Sequence, residues 1–223
     1  AAARQMAPHL GESTWVMSLQ NGVDNADTLQ RYLPCPVIAT VVYVAVALGG
    51  PGVVRHFGRG DLAVGAVTGD AMPSLAELVK LFADAQVPVR VVPDVAIELW
   101  TKLLVNCAYN AISALAQMPY ARLAALPEIR DVQELVLQEV IAVARANGVA
   151  LPLDASRDAV AKIAQAMPQQ LSSTAQDMAR RKPSEIDHLN GFVARRGREL
   201  GVAALVIQAL PGLVVLAESA YGP

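Results

Sequence analysis

A lysine and two asparagines recur at every fourth position in one uninterrupted stretch, Lys102, Asn106 and Asn110 within DVAIELWTKLLVNCAYNAISALAQM from Asp94 to Met118. Glu98, Ser113 and Gln117 complete the polar set, and apolar residues fill nearly everything between. Each step of four on a helix turns the position by only about 40°, so one cation and two amides share a narrow face over roughly 12 Å. Periodicity alone reads such a stripe as the wet side of an amphipathic helix. Its composition argues otherwise. A solvated face is broad and built from Glu, Lys, Arg and Gln, whereas this one is thin and uses Asn, which costs helix stability unless its amide has a task. If the stripe is buried, an ammonium and two carboxamides are donors suited to a carbonyl oxygen on which negative charge develops.

The elements that must position these groups follow from caps and breakers. Asp94 after Pro93 caps a helix that meets no Gly or Pro until Pro119. Upstream, Thr14 to Leu19 reads as a buried strand entering the turn Gln20-Asn21-Gly22, with a helix from Val23 to Tyr32 behind it. Val37 to Leu48 is rich in β-branched residues and reads as a second strand. Gly49-Gly50-Pro51-Gly52 turns the chain into VVRHFG, and Gly58-Arg59-Gly60 turns it again into DLAVG, giving an antiparallel meander. Arg59-Gly60-Asp61 spells a cell-adhesion tripeptide that a turn of this composition produces by chance, and it carries no weight. Pro73 to Ala85 reads as a helix and Val89 to Val92 as a strand. After Asp94 the character is all-helical: Pro127 to Gly148, Asp154 to Met167, Ser173 to Lys182, Ser184 to Leu200 and Val206 to Ser219. The expected boundary is Pro93/Asp94, between a partial α/β domain over 1–93 and a helical domain over 94–223.

Composition bounds the partners. With 223 residues, 54% hydrophobic and 17% charged, the chain buries a sizeable core. A formal net charge of -2 with only short basic runs argues against a nucleic-acid surface. Cys35 and Cys107 form no metal-ligand pattern and suit a reducing cytoplasm better than a disulfide framework. The first residues lack the apolar core of a signal peptide, and no stretch reads as a membrane span.

Four motifs then recur in a specific order: Leu19-Gln20-Asn21-Gly22-Val23-Asp24-Asn25, the stretch from His56-Phe57-Gly58 to Gly65, Trp100-Thr101-Lys102 with Asn106 and Asn110, and Ser173 through Glu185-Ile186-Asp187 to Asn190-Gly191. Together they resemble ketopantoate reductase (2-dehydropantoate 2-reductase) and related 2-oxo-acid reductases. The resemblance implies an α/β plus all-α architecture, the C-terminal part of a Rossmann-type sheet domain followed by a helical substrate and dimerisation domain like the C-terminal domain of 6-phosphogluconate dehydrogenase. It also implies NADPH-dependent reduction of ketopantoate to pantoate, in pantothenate biosynthesis, by a cytoplasmic homodimer. Lys102 matches the family's general acid and Glu185 the acidic residue that orients substrate hydroxyl and lysine. Asn106 and Asn110 match the substrate-holding amides, Ser173 the hydroxyl that grips the substrate carboxylate, and Asn21 a residue near cofactor and substrate.

Each of these has a plainer reading from sequence. Ser173 with Gln176 makes a capping box, Glu185 is favourable charge in a first helical turn after Pro183, and Asn21-Gly22 is an ordinary turn. The glycine-rich dinucleotide turn is absent, so the chain is expected to begin in a late helix of the cofactor domain and to be inactive alone. Gln170 stands where relatives often carry Asn or His, and Leu205 and Ile207 replace a usual Pro and Asn. The alternatives are a reductase of another branched 2-oxo acid and a non-catalytic helical interaction module, which would scatter the candidate residues.

Overall fold

Alternate residues of one long strand bury on opposite faces of a sheet, and that period of two organises the first part of the chain. The computed structural model describes residues 2–11, 13–66 and 75–220, with the side chain of Phe57 also outside the description. The chain divides into two compact units, Ala1–Leu99 and Trp100–Pro223.

In the first unit, α1 (Ala2–Met6) precedes β1 (Val16–Ser18), α2 (Asn25–Gln30), β2 (Val37–Gly50), β3 (Val53–Ala66), α3 (Leu75–Asp84) and β4 (Val89–Val91). The four strands lie in the order β1-β2-β3-β4. β1 is parallel to β2, β3 antiparallel to β2, and β4 parallel to β3. Val37, Ala39 and Val41 of β2 bury on one face with Ala3 and Ala26 from α1 and α2. Ile38 buries on the other with Leu78 of α3. Helices on both faces make this an α/β layer of Rossmann type.

The expected meander is not there. VVRHFG and DLAVG belong to one continuous strand, β3, because Gly58-Arg59-Gly60 forms bulges instead of a turn. Tyr43 pairs with Asp61 and Val44 with Arg59, so Gly60 is passed over, and Phe57 is passed over between Ala45/Gly58 and Val46/His56. Gly58 and Gly60 take φ of 135° and 145°, which glycine adopts without strain, and Arg59 between them takes the left-handed φ of 57°. The strand expected over Thr14–Leu19 is confined to Val16–Ser18. The helix expected from Pro73 is described from Leu75, its first two residues lying outside the described residues.

The second unit is helical. The long helix α4 (Val95–Ala116) enters it and is followed by α5 (Tyr120–Ala124), α6 (Pro127–Ala146), α7 (Leu153–Ala166), α8 (Ser173–Ala179), α9 (Asn190–Glu199) and α10 (Leu205–Ser219). Leu103, Leu104, Cys107, Ala108, Tyr109 and Ala111 of α4 are all buried, so this helix is covered nearly all round and runs through the middle of its unit. The Tyr109 and Tyr120 rings meet at 4.8 Å, and Trp100 packs on Phe192 at 6.1 Å. The stretch expected as one helix over Ser184–Leu200 is a 3-10 turn, Ile186–His188, and α9. Leu189 breaks it at φ -105°, ψ -97°, where its fully buried side chain outweighs helical continuity. Helix α5 had no sequence signal beyond Pro119, since five residues are too few to show a period.

Gly65 sits where β3 passes the start of α4, and a Cβ there would lie 2.6 Å from Val95 Cβ. Gly65→Ala is expected to destabilise the chain by about 1–3 kcal/mol through overpacking. Urea unfolding should show a lower midpoint than the parent, and Val95→Ala, which keeps the Cβ that is met at 2.6 Å, should not restore it.

Candidate active site

The first turn of α4 is held by its predicted cap: Asp94 Oδ1 accepts from Ala96 N at 2.9 Å and Ile97 N at 3.2 Å. Along the polar stripe, Lys102 and Asn106 are half-buried, Asn110 is 2% exposed and Ser113 is 0% exposed. The stripe therefore runs into the interior at Asn110 and Ser113 and returns to the surface at Gln117, so a solvated face does not account for its middle.

Three neighbouring elements grip α4 at its centre through backbone carbonyls. Asn190 Nδ2 of α9 donates to Cys107 O at 3.2 Å, Gln133 Nε2 of α6 to Ala108 O at 3.3 Å, and Ser172 Oγ, just before α8, to Asn110 O at 3.3 Å. The donor residues are themselves buried. Each bond uses the second lone pair of a carbonyl, and losing one leaves a buried donor unmade at about 1–3 kcal/mol.

The start of α8 differs by one residue from the expectation. Ser172, not Ser173, is the cap: its Oγ accepts from Ala175 N at 3.0 Å. The Ser173/Gln176 box does not form, and Gln176 Nε2 donates instead to Leu171 O at 3.1 Å. The helix also stops at Ala179, short of Lys182. Ser113 Oγ accepts from Ser172 N at 3.2 Å and donates to Met118 O at 2.8 Å. With capping delegated to Ser172, the exposed Ser173 turns its hydroxyl to Asn110, whose Nδ2 donates to Ser173 Oγ and Thr174 Oγ1, both at 3.4 Å. Two predicted residues are thus brought together. The half-buried Asn106 amide makes no hydrogen bond with the described residues.

Glu185 is exposed and opens the 3-10 turn. It lies within electrostatic reach of Asp177, one turn after Ser173 on α8; burial first, and then the Glu185 charge, hold the Asp177 carboxyl above its ordinary range. Sequence reasoning missed Asp177, although its spacing of four from Ser173 was the available signal. Arg195 Nη1 pairs with Asp187 Oδ1, and Arg195 Nη2 donates to Asp187 O at 2.9 Å. A Cβ on Gly191 would come within 2.6 Å of Asp187 Oδ1, the end of an exposed side chain that can turn aside.

In the first unit, Asn21 follows the carboxyl end of β1, where open α/β sheets place ligands. Its carbonyl accepts from Asn25 Nδ2 at 2.7 Å, and Gly22 takes φ 105°. A cavity of about 450 Å³ lies alongside, lined by Arg4, Gln20, Asn25, Thr28 and Tyr32 among others. The helical unit has another of about 550 Å³, between α5, α6 and α7, which holds none of the predicted site residues.

One cluster had no sequence signal. Glu98, the first polar residue of the α4 stripe, accepts from Arg90 through both guanidinium nitrogens at 2.9 Å and from Tyr43 Oη at 2.6 Å. The Arg90 hydrogen bonds hold the Glu98 carboxyl below its usual range, while burial and then the bond to Glu98 push the Tyr43 phenol up.

Two family profiles cover most of the chain: ketopantoate reductase PanE/ApbA over residues 1–69, and ketopantoate reductase PanE/ApbA C terminal over residues 94–218. The chain belongs to the ketopantoate reductase family. Among family members, a 2-dehydropantoate 2-reductase of Pyrobaculum aerophilum is 36% identical over 97% of this chain and 74% of its own length. One of Vibrio cholerae is 32% identical over 94% of this chain and 71% of its own. The crystal structure of a PanE/ApbA family ketopantoate reductase from Ralstonia eutropha superposes with TM-score 0.89 at 50% identity, over 98% of this chain and 72% of that one. A D-mandelate dehydrogenase in complex with NADH shares the fold, with TM-score 0.91 at 20% identity over 99% of this chain and 75% of that one.

Ser172→Ala removes a cap and a grip on α4 together and is expected to cost about 1–2 kcal/mol in urea unfolding, with Ser173→Ala within experimental error of the parent. Asp177 gives a pH-resolved expectation. A carboxyl whose folded pKa is raised contributes stability below its unfolded pKa and loses it as pH rises through the folded value. Asp177→Asn should therefore raise the melting temperature at pH 7 by roughly 1–2 °C, and the gain should vanish below about pH 3.5.

Proposed function

We propose that this chain carries the substrate side of an NADPH-dependent reduction of 2-dehydropantoate to pantoate, in pantothenate biosynthesis. The observation that carries the reading is the α4 stripe: a face rich in donors and increasingly covered by protein, ending where Asn110 meets Ser173. Family membership supports it, since relatives over nearly the whole chain are 2-dehydropantoate 2-reductases.

In this reading residues 94–223 hold the substrate and residues 1–93 the nicotinamide side of the cofactor. Lys102 acts as general acid, giving its proton to the keto oxygen and offsetting the alkoxide charge, an effect typically worth about 10²–10⁴ in rate. Glu185 orients the substrate hydroxyl and the lysine. The Asn106 and Asn110 amides hold the substrate, and Ser173 Oγ takes its carboxylate. Asn21, on a loop at the carboxyl end of a parallel strand with Gly22 in a glycine conformation, fits the carboxamide end of a nicotinamide. NADPH, when bound, supplies the hydride. The sequence has no G-x-G-x-x-G turn to receive a pyrophosphate, so the 223-residue chain alone is proposed to bind NADPH weakly and not to turn over.

We extend the proposal to a cytoplasmic homodimer. A Staphylococcus aureus ketopantoate reductase that shares this fold, with TM-score 0.81, is dimeric. Helix α10 exposes Leu205, Leu213 and Leu216 on one side, an apolar row suited to a second copy. Among the described residues no helix is long and apolar enough to cross a membrane.

Lys102→Ala in the full-length enzyme is expected to lower kcat by at least about 100-fold with the fold intact, and a loss under about tenfold would remove the acid role. Ser173→Ala should chiefly raise KM. Titrating the isolated chain with NADPH, followed by nicotinamide fluorescence, should give no micromolar binding. A substrate panel on the full-length enzyme separates ketopantoate from other branched 2-oxo acids.

A further inference from the structure

Glu98 and Lys102 stand one turn apart on α4, with the glutamate first, which is the order in which such a pair most readily forms an ion pair on a helix. The structure spends that glutamate elsewhere. Among the described residues, every hydrogen bond accepted by its carboxylate comes from Arg90 or Tyr43. Arg90 of β4 forks onto both oxygens, and Tyr43 of β2 adds its hydroxyl to Oε2 at 2.6 Å. A third charge faces the group: Arg59 of β3 lies 4.0 Å over the Tyr43 ring and is itself paired with Asp61 at 2.8 Å. The bidentate fork is the strongest arrangement available to a carboxylate at a partly exposed site, and it fixes direction as well as distance.

We propose that Arg90 and Tyr43 are positioning residues for Lys102, acting by holding the Glu98 carboxylate away from it. A lysine tied to a carboxylate on its own helix lies along the helix, turned from the position in which Glu185 is proposed to orient it. A general acid needs the opposite, so the inference rests on the acid role proposed for Lys102. It concerns only which carboxylate is not a partner of Lys102, which keeps interactions of its own. The arginine stays charged at every working pH, so the diversion does not switch off.

The test reads Lys102 directly and needs no turnover. The intact 223-residue chain is treated with acetic anhydride at fixed pH, and acetylation of Lys102 is measured by mass spectrometry against Lys80 and Lys162. Arg90→Leu releases the carboxylate and should slow acetylation of Lys102 about two- to threefold, the scale of an i,i+4 pair. Arg90→Leu with Glu98→Gln should restore the parental rate, and Glu98→Gln alone should leave it unchanged. A tie serving only to dock α4 on the sheet would behave otherwise, because the double variant would remain as perturbed as Arg90→Leu. An unchanged rate in Arg90→Leu, or a slowed rate that the second substitution fails to restore, overturns the inference. If Arg90→Leu does not fold, Arg90→Gln, which keeps the stem and loses the fork, decides in the same way. In the full-length enzyme kcat should fall with Arg90→Leu and recover in the double variant. If Lys102→Ala leaves kcat unchanged, the acid role fails while the labelling result stands by itself.

Discussion

The middle of α4 is fixed by hydrogen bonds that no helix needs for its own sake. An interior helical carbonyl already accepts from the amide four residues on, and the carbonyls of Cys107, Ala108 and Asn110 each take a second bond from a buried side chain. Apolar packing of Leu103, Leu104 and Ile112 resists separation but tolerates small rotations. Directed bonds from three elements do not. Rotation of α4 by even one side-chain step would swing Asn110 away from Ser173 and Thr174 at the start of α8, so the stripe keeps its meaning only while these donors are in place.

The arrangement at α8 follows from that grip. Ser172 satisfies Asn110 O with its hydroxyl hydrogen and Ala175 N with its lone pair, so one small side chain both caps a helix and clamps another. Because the cap falls one residue early, Ser173 is left outside with its hydroxyl directed at Asn110. A seven-residue helix placed this way owes little to its own propensity and nearly everything to its tertiary attachment.

Much of this was legible where chemistry and local geometry coincide. Asp94 announced the start of α4, Pro119 its end, and the thin, asparagine-bearing composition of the stripe argued for burial. The motif order pointed to the family, and both units follow it. What stayed hidden depends on non-local pairing. Gly58-Arg59-Gly60 reads as a turn because glycine at positive φ serves turns and bulges alike, and only the partner strand distinguishes them. The break at Leu189 is set by where its side chain is buried, not by any breaker residue. Adjacent serines 172 and 173 are equal candidates for a cap until α4 accepts a bond from one of them. Glu98 is separated from Arg90 by 8 positions and from Tyr43 by 55, so no local pattern could have joined them.

The β2–β3 pair outruns the sheet that holds it. β1 covers only Val37–Ala39 and β4 only Leu62–Val64, so from Val44 and Arg59 outward the chain is a two-stranded arm. Its tip carries Val46, Leu48, Val53 and Val54, all exposed. A lone ribbon of this kind has little burial to oppose its opening, whereas the root is clasped on both edges and both faces. Amide hydrogens at the tip will therefore trade with solvent through local fraying long before those at Ile38 and Val64, which wait for the whole sheet to come apart.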